Sequence, residues 1–172
     1  MPAMLSRRCA DESDTLRLGA ALGAALRAQG LPPLLVTLQG DLGSGKTTLV
    51  RSLLQSLGVR GRIKSPTYAL VEPYKLSVDG LEFKRSVQTT AYHLDLYRFS
   101  SPDEWLDAGL GDVLDGHSLC FVEWPERAAG LPAPDLDIRI TTHDGVRDVV
   151  IRAGSAAGAA VIDGMASAAT DA

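Results

Sequence analysis

The spacing of apolar residues predicts a helix and then a buried strand in the first forty positions. Leucines recur every four residues along segment 11–29, which is the spacing of one helix face. Gly19 and Gly23 lie inside this segment and lower its intrinsic helix propensity. The apolar run LLVTLQ, residues 34–39, is too short for a buried helix and is bounded by turn-forming residues. We therefore predict an amphipathic helix followed by a central strand.

The remainder of the chain predicts alternating strands and helices. A polar stretch at 75–90 separates two of the strands, and Asp144 with Gly145 indicates a hairpin turn. Beyond residue 154 alanine, glycine and serine dominate, which predicts a single domain over 1–154 and a disordered tail over 155–172. The other predicted elements are a helix after residue 47, strands at 68–74 and 91–98, a helix capped by Ser101, a strand at 118–122, and strands at 136–140 and 149–151.

Composition restricts the classes of function. The 172 residues carry a net charge of −4, so a broad basic face for nucleic acid is disfavoured. Arg7 and Arg8 precede acidic residues rather than an apolar stretch, and no apolar run approaches the roughly 18 residues of a membrane span. The distant Cys9 and Cys120 match neither a disulfide framework nor a metal-ligand spacing. We expect a cytoplasmic protein without membrane association.

A glycine-rich loop between the predicted central strand and the second helix carries the strongest chemical signal. Residues 40–47, GDLGSGKT, fit the pattern of a glycine, four residues, then glycine, lysine and serine or threonine. Gly43 and Gly45 allow the backbone to curl, so that successive amides and those at the helix start face one concave site. Such a site is suited to a polyphosphate.

Side chains of the same loop add specific contacts. Lys46 is placed to reach the β and γ phosphates of a nucleoside triphosphate, and Thr47 to offer its hydroxyl to Mg²⁺. Ser44 and Thr48 add further donors. A lysine at the start of a helix opposes the helix dipole, so an anionic ligand explains Lys46 better than solvation of the helix end does.

Two acids at predicted strand ends are candidates for binding the metal or the attacking water. Glu123 emerges from an apolar strand beside the expected phosphate loop, where it can bind Mg²⁺ or orient water, although a simple polar strand end is the alternative. Asp95 lies on an otherwise apolar strand, where a half-buried carboxylate needs a cation or hydrogen-bond donors, and Mg²⁺, Lys46 or Arg98 can each satisfy it. A catalytic Asp95 and a structural pair with Arg98 both remain open.

Other residues lie near these acids in the predicted fold. His93 shares a strand face with Asp95, but a single histidine is more often a packing residue than a ligand. Thr67 follows the phosphate-loop helix in a loop placed like the switch loops of nucleotide hydrolases, so it can sense the terminal phosphate. Trp124 and Tyr97 are interpreted as core or interface residues.

Five motifs occur in one order between about Leu16 and Ile151: GDLGSGKTTLVRSLLQSLG, KSPTYALVEPY, YHLDLYR, SPDEWLDAGL and FVEWPER. Together they resemble the TsaE family, bacterial ATPases that assist threonylcarbamoyladenosine modification of tRNA. The resemblance implies an α/β fold of the P-loop NTPase-like kind, a three-layer domain with a mixed central sheet flanked by helices. It also implies binding and hydrolysis of ATP with Mg²⁺ in a complex with TsaB and TsaD, with tRNA reached only through those partners.

The same resemblance assigns roles to individual positions. Phosphate contacts fall on Gly43, Ser44, Gly45, Lys46, Thr47 and Thr48, the metal on Thr47 and Glu123, and the catalytic roles on Lys46, Glu123, Asp95 and Thr67. Two features depart from the family: stretch 75–90 is longer and more charged than its usual hairpin, and the tail has no clear counterpart.

Two other classes of function remain open for this loop. A small-molecule kinase usually carries an arginine-bearing lid after the second acid, whereas WPERAAGLP after Glu123 holds one arginine. An adaptor that binds ATP without hydrolysing it is not excluded by any feature of the sequence. A regulatory GTPase is excluded, because guanine selection needs an asparagine and the chain contains none.

Overall fold

Within residues 2–79 and 87–170, which the computed structural model describes, seven strands form one mixed sheet. Residues 80–86, in the middle of the polar stretch 75–90, lie outside the described residues. The strands are β1 (Met4–Cys9), β2 (Leu35–Gln39), β3 (Val71–Val78), β4 (Val87–Asp95), β5 (Leu119–Glu123), β6 (Leu136–His143) and β7 (Val146–Ala153). The helices are α1 (Glu12–Ala28), α2 (Lys46–Ser56), α3 (Glu104–Asp107) and α4 (Ala156–Thr170), with 3-10 turns at Leu110–Asp112 and Pro125–Arg127.

The strand order across the sheet is β1-β7-β6-β2-β5-β4-β3. The four strands β6, β2, β5 and β4 run parallel, and the remaining three pair antiparallel with their neighbours. Parallel strands end at the same edge of a sheet, so the residues that follow them come together. In this register Glu123 lies between Leu38 of β2 and Asp95 of β4.

Alternating side chains of the strands contribute to two apolar cores on opposite faces of the sheet. In β5, Leu119 and Phe121 join the core formed with α1, α2 and α4. Cys120 and Val122 join the second core, which includes Trp105 of α3. The predicted three-layer arrangement, a mixed sheet flanked by helices, is therefore confirmed.

Helix α1 begins and ends close to the predicted positions. The carboxylate of Asp11 accepts a hydrogen bond of 2.9 Å from the amide of Asp14, and Gly30 beyond the helix end has φ +77°. Gly19 has a function in packing, because a Cβ there would lie 2.7 Å from the carbonyl oxygen of Leu49 in α2. The glycine that weakens the helix in isolation thus allows α1 and α2 to pack closely.

The predicted disordered tail is instead an ordered helix, and that prediction is wrong for residues 156–170. Val161, Ile162 and Met165 are at most 5% exposed and pack in the core beside α1, β1 and β7. Their spacing places them on one face of α4, so the small residues around them are the rest of an amphipathic helix rather than a sign of disorder.

Two other elements differ from the sequence prediction. Strand β1 was not predicted, because only Leu5 and Cys9 of its six residues are buried. The helix predicted at Ser101 is a single turn that begins at Glu104. The carboxylate of Glu104 accepts hydrogen bonds from the amides of Ser100 and Ser101 at 3.0 and 2.7 Å.

Both cysteines are buried and free. In the described part of the chain, no helix combines the length and apolar character that a membrane crossing needs.

The two outermost strands carry residues that hinder further pairing. β1 presents exposed Arg7 and Arg8 at one edge of the sheet. β3 forms the other edge and contains Pro73, which has no amide proton to donate, and Lys75.

Candidate functional site

The glycine-rich loop lies where β2 ends and α2 begins, at the centre of the sheet. Gly43 and Gly45 have φ values of +76° and +102°, which belong to the left-handed region that favours glycine. Within the loop the amide of Ser44 donates to the carbonyl oxygen of Asp41 at 3.0 Å. Gly45 is the N-cap of α2 and has no side chain to accept from the first helical amides, so these amides remain to bind an anion.

Lys46 is folded back onto this loop and is only 4% exposed. Its Nζ donates to the carbonyl oxygens of Gly40 and Asp41, at 2.5 and 3.0 Å, and lies 4.1 Å from the centroid of the Trp124 ring. Burial lowers the pKa of Lys46, while nearby carboxylates, chiefly that of Glu123, oppose this effect. A buried ammonium group that faces neutral carbonyls favours an anionic ligand.

Thr47, Glu123 and His93 form a connected polar group beneath the loop. The Thr47 hydroxyl is 2.9 Å from each carboxylate oxygen of Glu123, to which it donates. His93 is fully buried, and its Nε2 lies 2.7 Å from Oε2 of Glu123. Because a carboxylate only accepts, we assign the proton to Nε2; Nδ1 has no partner within the described residues. His93 is therefore more than a packing residue, since it orients a candidate metal ligand.

Asp95 lies at the end of β4, beside Glu123, and is 4% exposed. Its carboxylate accepts from the amide of Tyr97 at 2.9 Å and from the hydroxyl of Thr67 at 3.1 Å. Burial raises the pKa of Asp95, and the charge of Glu123 adds to this effect, whereas the hydrogen bond from Tyr97 opposes it. The loop that contains Thr67 is thus connected to Asp95 directly.

The pairing considered between Asp95 and Arg98 does not occur within the described residues. The guanidinium of Arg98 lies 4.0 Å from the centroid of the exposed Tyr68 ring instead. Asp95 is satisfied by one amide and one hydroxyl, so its carboxylate is not neutralised by a fixed cation. This arrangement leaves Asp95 able to accept from water in the cleft.

One cleft of about 270 Å³ brings together all of the site residues predicted from the sequence. These are Gly43, Ser44, Gly45, Lys46, Thr47, Thr48, Thr67, Asp95 and Glu123. Leu42, Ser65, Trp124 and Arg147 complete the lining. The centroid of the Trp124 ring lies 4.9 Å from that of the Tyr97 ring, and Trp124 also packs against the second core, so it contacts both this core and Lys46 of the loop.

Two residues of the site were not assigned a role from the sequence. The alternation of His93 with Asp95 places both on one face of β4, and that spacing was a usable signal. Arg147 reaches the cleft from β7, whose position depends on the order of strands across the sheet. No local pattern in the sequence could have revealed it.

The oxygen atoms of Thr47 and Glu123 are hard donors of the kind that Mg²⁺ prefers. Within the described residues, no cluster of three or more histidine, cysteine, aspartate or glutamate side chains could hold a metal by itself. Mg²⁺ in nucleotide sites commonly takes one or two protein ligands and completes its shell with phosphate oxygens and water. The residues present therefore fit this ion.

A strand, the loop GDLGSGKT and a helix at the centre of a mixed sheet define the P-loop class of α/β domains. A family model described as "Threonylcarbamoyl adenosine biosynthesis protein TsaE" matches residues 9–149. The chain belongs to the TsaE family, which confirms the resemblance of its motifs.

Individual relatives agree with this assignment. A Haemophilus influenzae protein named tRNA threonylcarbamoyladenosine biosynthesis protein TsaE is 37% identical over 147 residues, which cover 84% of this chain and 87% of the relative. A Treponema pallidum protein of the same name is 32% identical over 149 residues, covering 84% and 98%. The crystal structure of Bacillus subtilis YdiB matches with a TM-score of 0.68 at 26% identity and covers 98% of both chains.

Proposed function

We propose that this protein is a cytoplasmic Mg²⁺-dependent ATPase that supports threonylcarbamoyladenosine modification of tRNA as the accessory subunit of a complex with TsaB and TsaD. The observation that carries the proposal is the meeting of Lys46, Thr47 and Glu123 at the glycine-rich loop. Membership of the TsaE family supports the role in tRNA modification.

The loop and Lys46 bind the phosphates. The amides of residues 43 and 45–48 provide donors without charge, and the first turn of α2 adds its partial positive charge. Lys46 exchanges its carbonyl partners, Gly40 and Asp41, for oxygens of the β and γ phosphates. The cost of burying the ammonium group is then offset by an ion pair.

Thr47 and Glu123 hold the metal through their oxygen atoms. A bound Mg²⁺ supplies charge neutralisation at the β and γ phosphates and fixes their geometry. His93 keeps the carboxylate of Glu123 aimed at this position through the 2.7 Å contact. Because Glu123 and His93 are buried, the geometry is set before the nucleotide binds.

Asp95 and Thr67 act at the terminal phosphate. The raised pKa of Asp95 brings this carboxylate closer to the range where it can take a proton from an attacking water. Thr67 lies on a loop between α2 and β3, and its hydroxyl donates to Asp95. Contact of this loop with the γ phosphate would therefore couple nucleotide state to the position of the catalytic acid–base group.

The net charge of −4 supports an indirect role in tRNA modification. A protein of this charge is a poor scaffold for a long phosphate backbone, so the partner subunits bind the tRNA. The transferase reaction belongs to TsaD, and ATP hydrolysis by this chain resets the complex between turnovers.

Calorimetry and phosphate release test the proposal with two lysine variants. Wild-type protein is expected to bind Mg²⁺-ATP and to release phosphate, more rapidly with TsaB and TsaD present. Lys46→Ala is expected to bind about 10- to 100-fold more weakly, the loss typical of a charge-assisted hydrogen bond, and to fail in supporting modification. Lys64→Ala, which removes an exposed lysine outside the cleft lining, is the matched control.

The same experiment separates the alternatives. Binding without phosphate release, even with both partners, would replace the ATPase by an adaptor. Transfer of the phosphoryl group to a small acceptor would indicate a kinase. The single arginine of the segment where a kinase carries its lid, Arg127, contacts an aromatic ring instead: its guanidinium lies 5.2 Å from the Tyr97 ring centroid. No binding of Mg²⁺-ATP to wild type would refute the proposal altogether.

A further inference from the structure

Arg147 is a cation at the nucleotide cleft whose role is not explained by the residues described so far. It is the second residue of β7, and its half-buried side chain lines the cleft together with the glycine-rich loop. A Cβ built on Gly45 would lie 3.2 Å from Nε of Arg147 and 3.7 Å from its Cζ. The guanidinium therefore packs closely against the backbone of the loop at Gly45.

Within the residues that the structure describes, no ion pair and no hydrogen bond to Nε accounts for the placement of the Arg147 guanidinium. Its Nε is shielded from solvent and makes no hydrogen bond to any residue in 2–79 or 87–170. No carboxylate in those residues forms an ion pair with it. A buried unpaired donor on a cation is costly, which points to an anion that binds there. The hydroxyl of Ser44, a residue that is 2% exposed, likewise has no hydrogen-bond partner in the described part of the chain.

The position of Arg147 along the sheet identifies which part of a nucleotide it meets. Glu123 and Asp95 lie on β5 and β4, on one side of β2, whereas Arg147 lies on β7, on the other side. A linear triphosphate whose terminal phosphates lie near Glu123 and Thr47 has its nucleoside end toward β6 and β7. The two ends of the cleft therefore differ in charge. The carboxylates of Glu123 and Asp95 lie at one end, and the guanidinium of Arg147 lies at the other.

We infer that Arg147 binds the α-phosphate of the nucleotide, as a donor fixed on the β7 side of the loop. This inference rests on the proposed function, because it requires a nucleotide in the cleft. Arginine suits the position, since its planar fork can donate two parallel hydrogen bonds to one phosphate. Arg147 and Lys46 then hold the chain of phosphates from opposite ends, which sets its register relative to Glu123.

Calorimetric titration of ATP and of inorganic tripolyphosphate, each with Mg²⁺, tests the inference. Arg147→Ala is expected to weaken both ligands by about 10- to 100-fold, because both place a phosphate at the α position. Arg147→Lys is expected to recover part of the affinity, since it keeps the charge but not the fork. Arg152→Ala removes an exposed arginine from the same strand and is expected to bind like wild type.

Thermal unfolding distinguishes a ligand contact from a structural one. Without ligand, Arg147→Ala is expected to melt close to the wild-type temperature, because within the described residues the side chain loses packing against Gly45 but no ion pair and no hydrogen bond to Nε. With saturating Mg²⁺-ATP its rise in melting temperature is expected to be smaller than that of wild type. A variant that melts lower without ligand, yet gains as much from ATP, would overturn the inference in favour of a structural role.

Other outcomes are equally decisive. Weaker ATP binding with unchanged tripolyphosphate binding would move the contact to the nucleoside and overturn the α-phosphate assignment. Unchanged affinity for both ligands would overturn it as well, while leaving the proposed ATPase intact. Failure of wild type to bind either ligand would remove the proposed function together with this inference.

Discussion

At the scale of single residues, the site depends on buried polar groups that hold one another in place. Glu123 accepts from Thr47 on one side and from His93 on the other. Asp95 accepts from Thr67 and from the amide of Tyr97. Because His93, Glu123 and Asp95 are each at most 4% exposed, the loss of one of their hydrogen-bond partners has a larger effect than at the surface.

His93 is expected to affect metal use through Glu123. His93→Leu removes the donor to Oε2, so we expect turnover to fall at least tenfold and the Mg²⁺ concentration for half-maximal activity to rise. His93→Gln places an amide donor near the position of Nε2 and is expected to recover much of the loss. Mg²⁺ titrations of ATP hydrolysis measure both effects. Equal behaviour of the two variants would mean that His93 only fills space.

Asp95 is expected to trade stability for activity. Its pKa is raised by burial, so the folded state holds a proton more tightly than the unfolded state; stability is therefore highest below the unfolded pKa and is lost as the pH rises from there through the folded pKa. Asp95→Asn should therefore raise the melting temperature at neutral pH, by an amount that shrinks as the pH falls through that pKa. Turnover should fall about 10²-fold or more.

The control for this prediction is Asp163→Asn, which changes an exposed acid on α4. It is expected to leave melting temperature and turnover close to wild type. A melting temperature of Asp95→Asn below that of wild type at neutral pH would show that the carboxylate stabilises the fold.

At the scale of elements, local patterns predict the strand, loop and helix that build the site, because each is specified by adjacent residues. The spacing in GDLGSGKT and the run LLVTLQ are sufficient for β2 and the start of α2. The contribution of Arg147 depends on strand order, which short-range patterns do not encode. Likewise, the local sequence indicates only that Gly19 weakens a helix, whereas in the structure Gly19 allows α1 and α2 to pack closely.

The space around two helical glycines gives opposite expectations for the same substitution. Gly19→Ala forces a Cβ to within 2.7 Å of the Leu49 carbonyl oxygen, so we expect a loss of about 1–3 kcal/mol in the free energy of unfolding. Gly164→Ala in α4 meets only the Cβ of Ala25 at 3.7 Å, and is expected to gain about 0.5–1 kcal/mol. Denaturant unfolding measures both. A stabilised Gly19→Ala would show that the helices separate without cost.

At the scale of the whole molecule, α4 shows where composition misleads. Its small residues suggested disorder, yet the three large apolar residues among them lie on one face and bury against the rest of the domain. Whether such a face finds a partner depends on tertiary packing, which composition alone does not report. The prediction of a disordered tail fails for this reason.

Met165, 5% exposed, is expected to be important for stability but not for catalysis. Met165→Ala should lower the free energy of unfolding by about 2–5 kcal/mol, through lost burial and the cavity that remains. Ser167→Ala, on the exposed side of α4, should change it little. Nucleotide binding well below the melting temperature should be unchanged in both, since α4 contributes no residue to the cleft lining. Equal stability of both variants would mean that α4 is not docked.

The outer strands determine how this molecule can join another. A neighbouring chain that continued the sheet would need an uninterrupted row of main-chain hydrogen-bond donors. Pro73 has no amide proton, so one donor is missing along the edge strand β3. At the β1 border the same neighbour would have to accommodate Arg7 and Arg8. Association with another protein chain is therefore expected to occur through side chains on the faces of the molecule rather than along the sheet edges, so that assembly stops at a defined stoichiometry instead of growing into fibres.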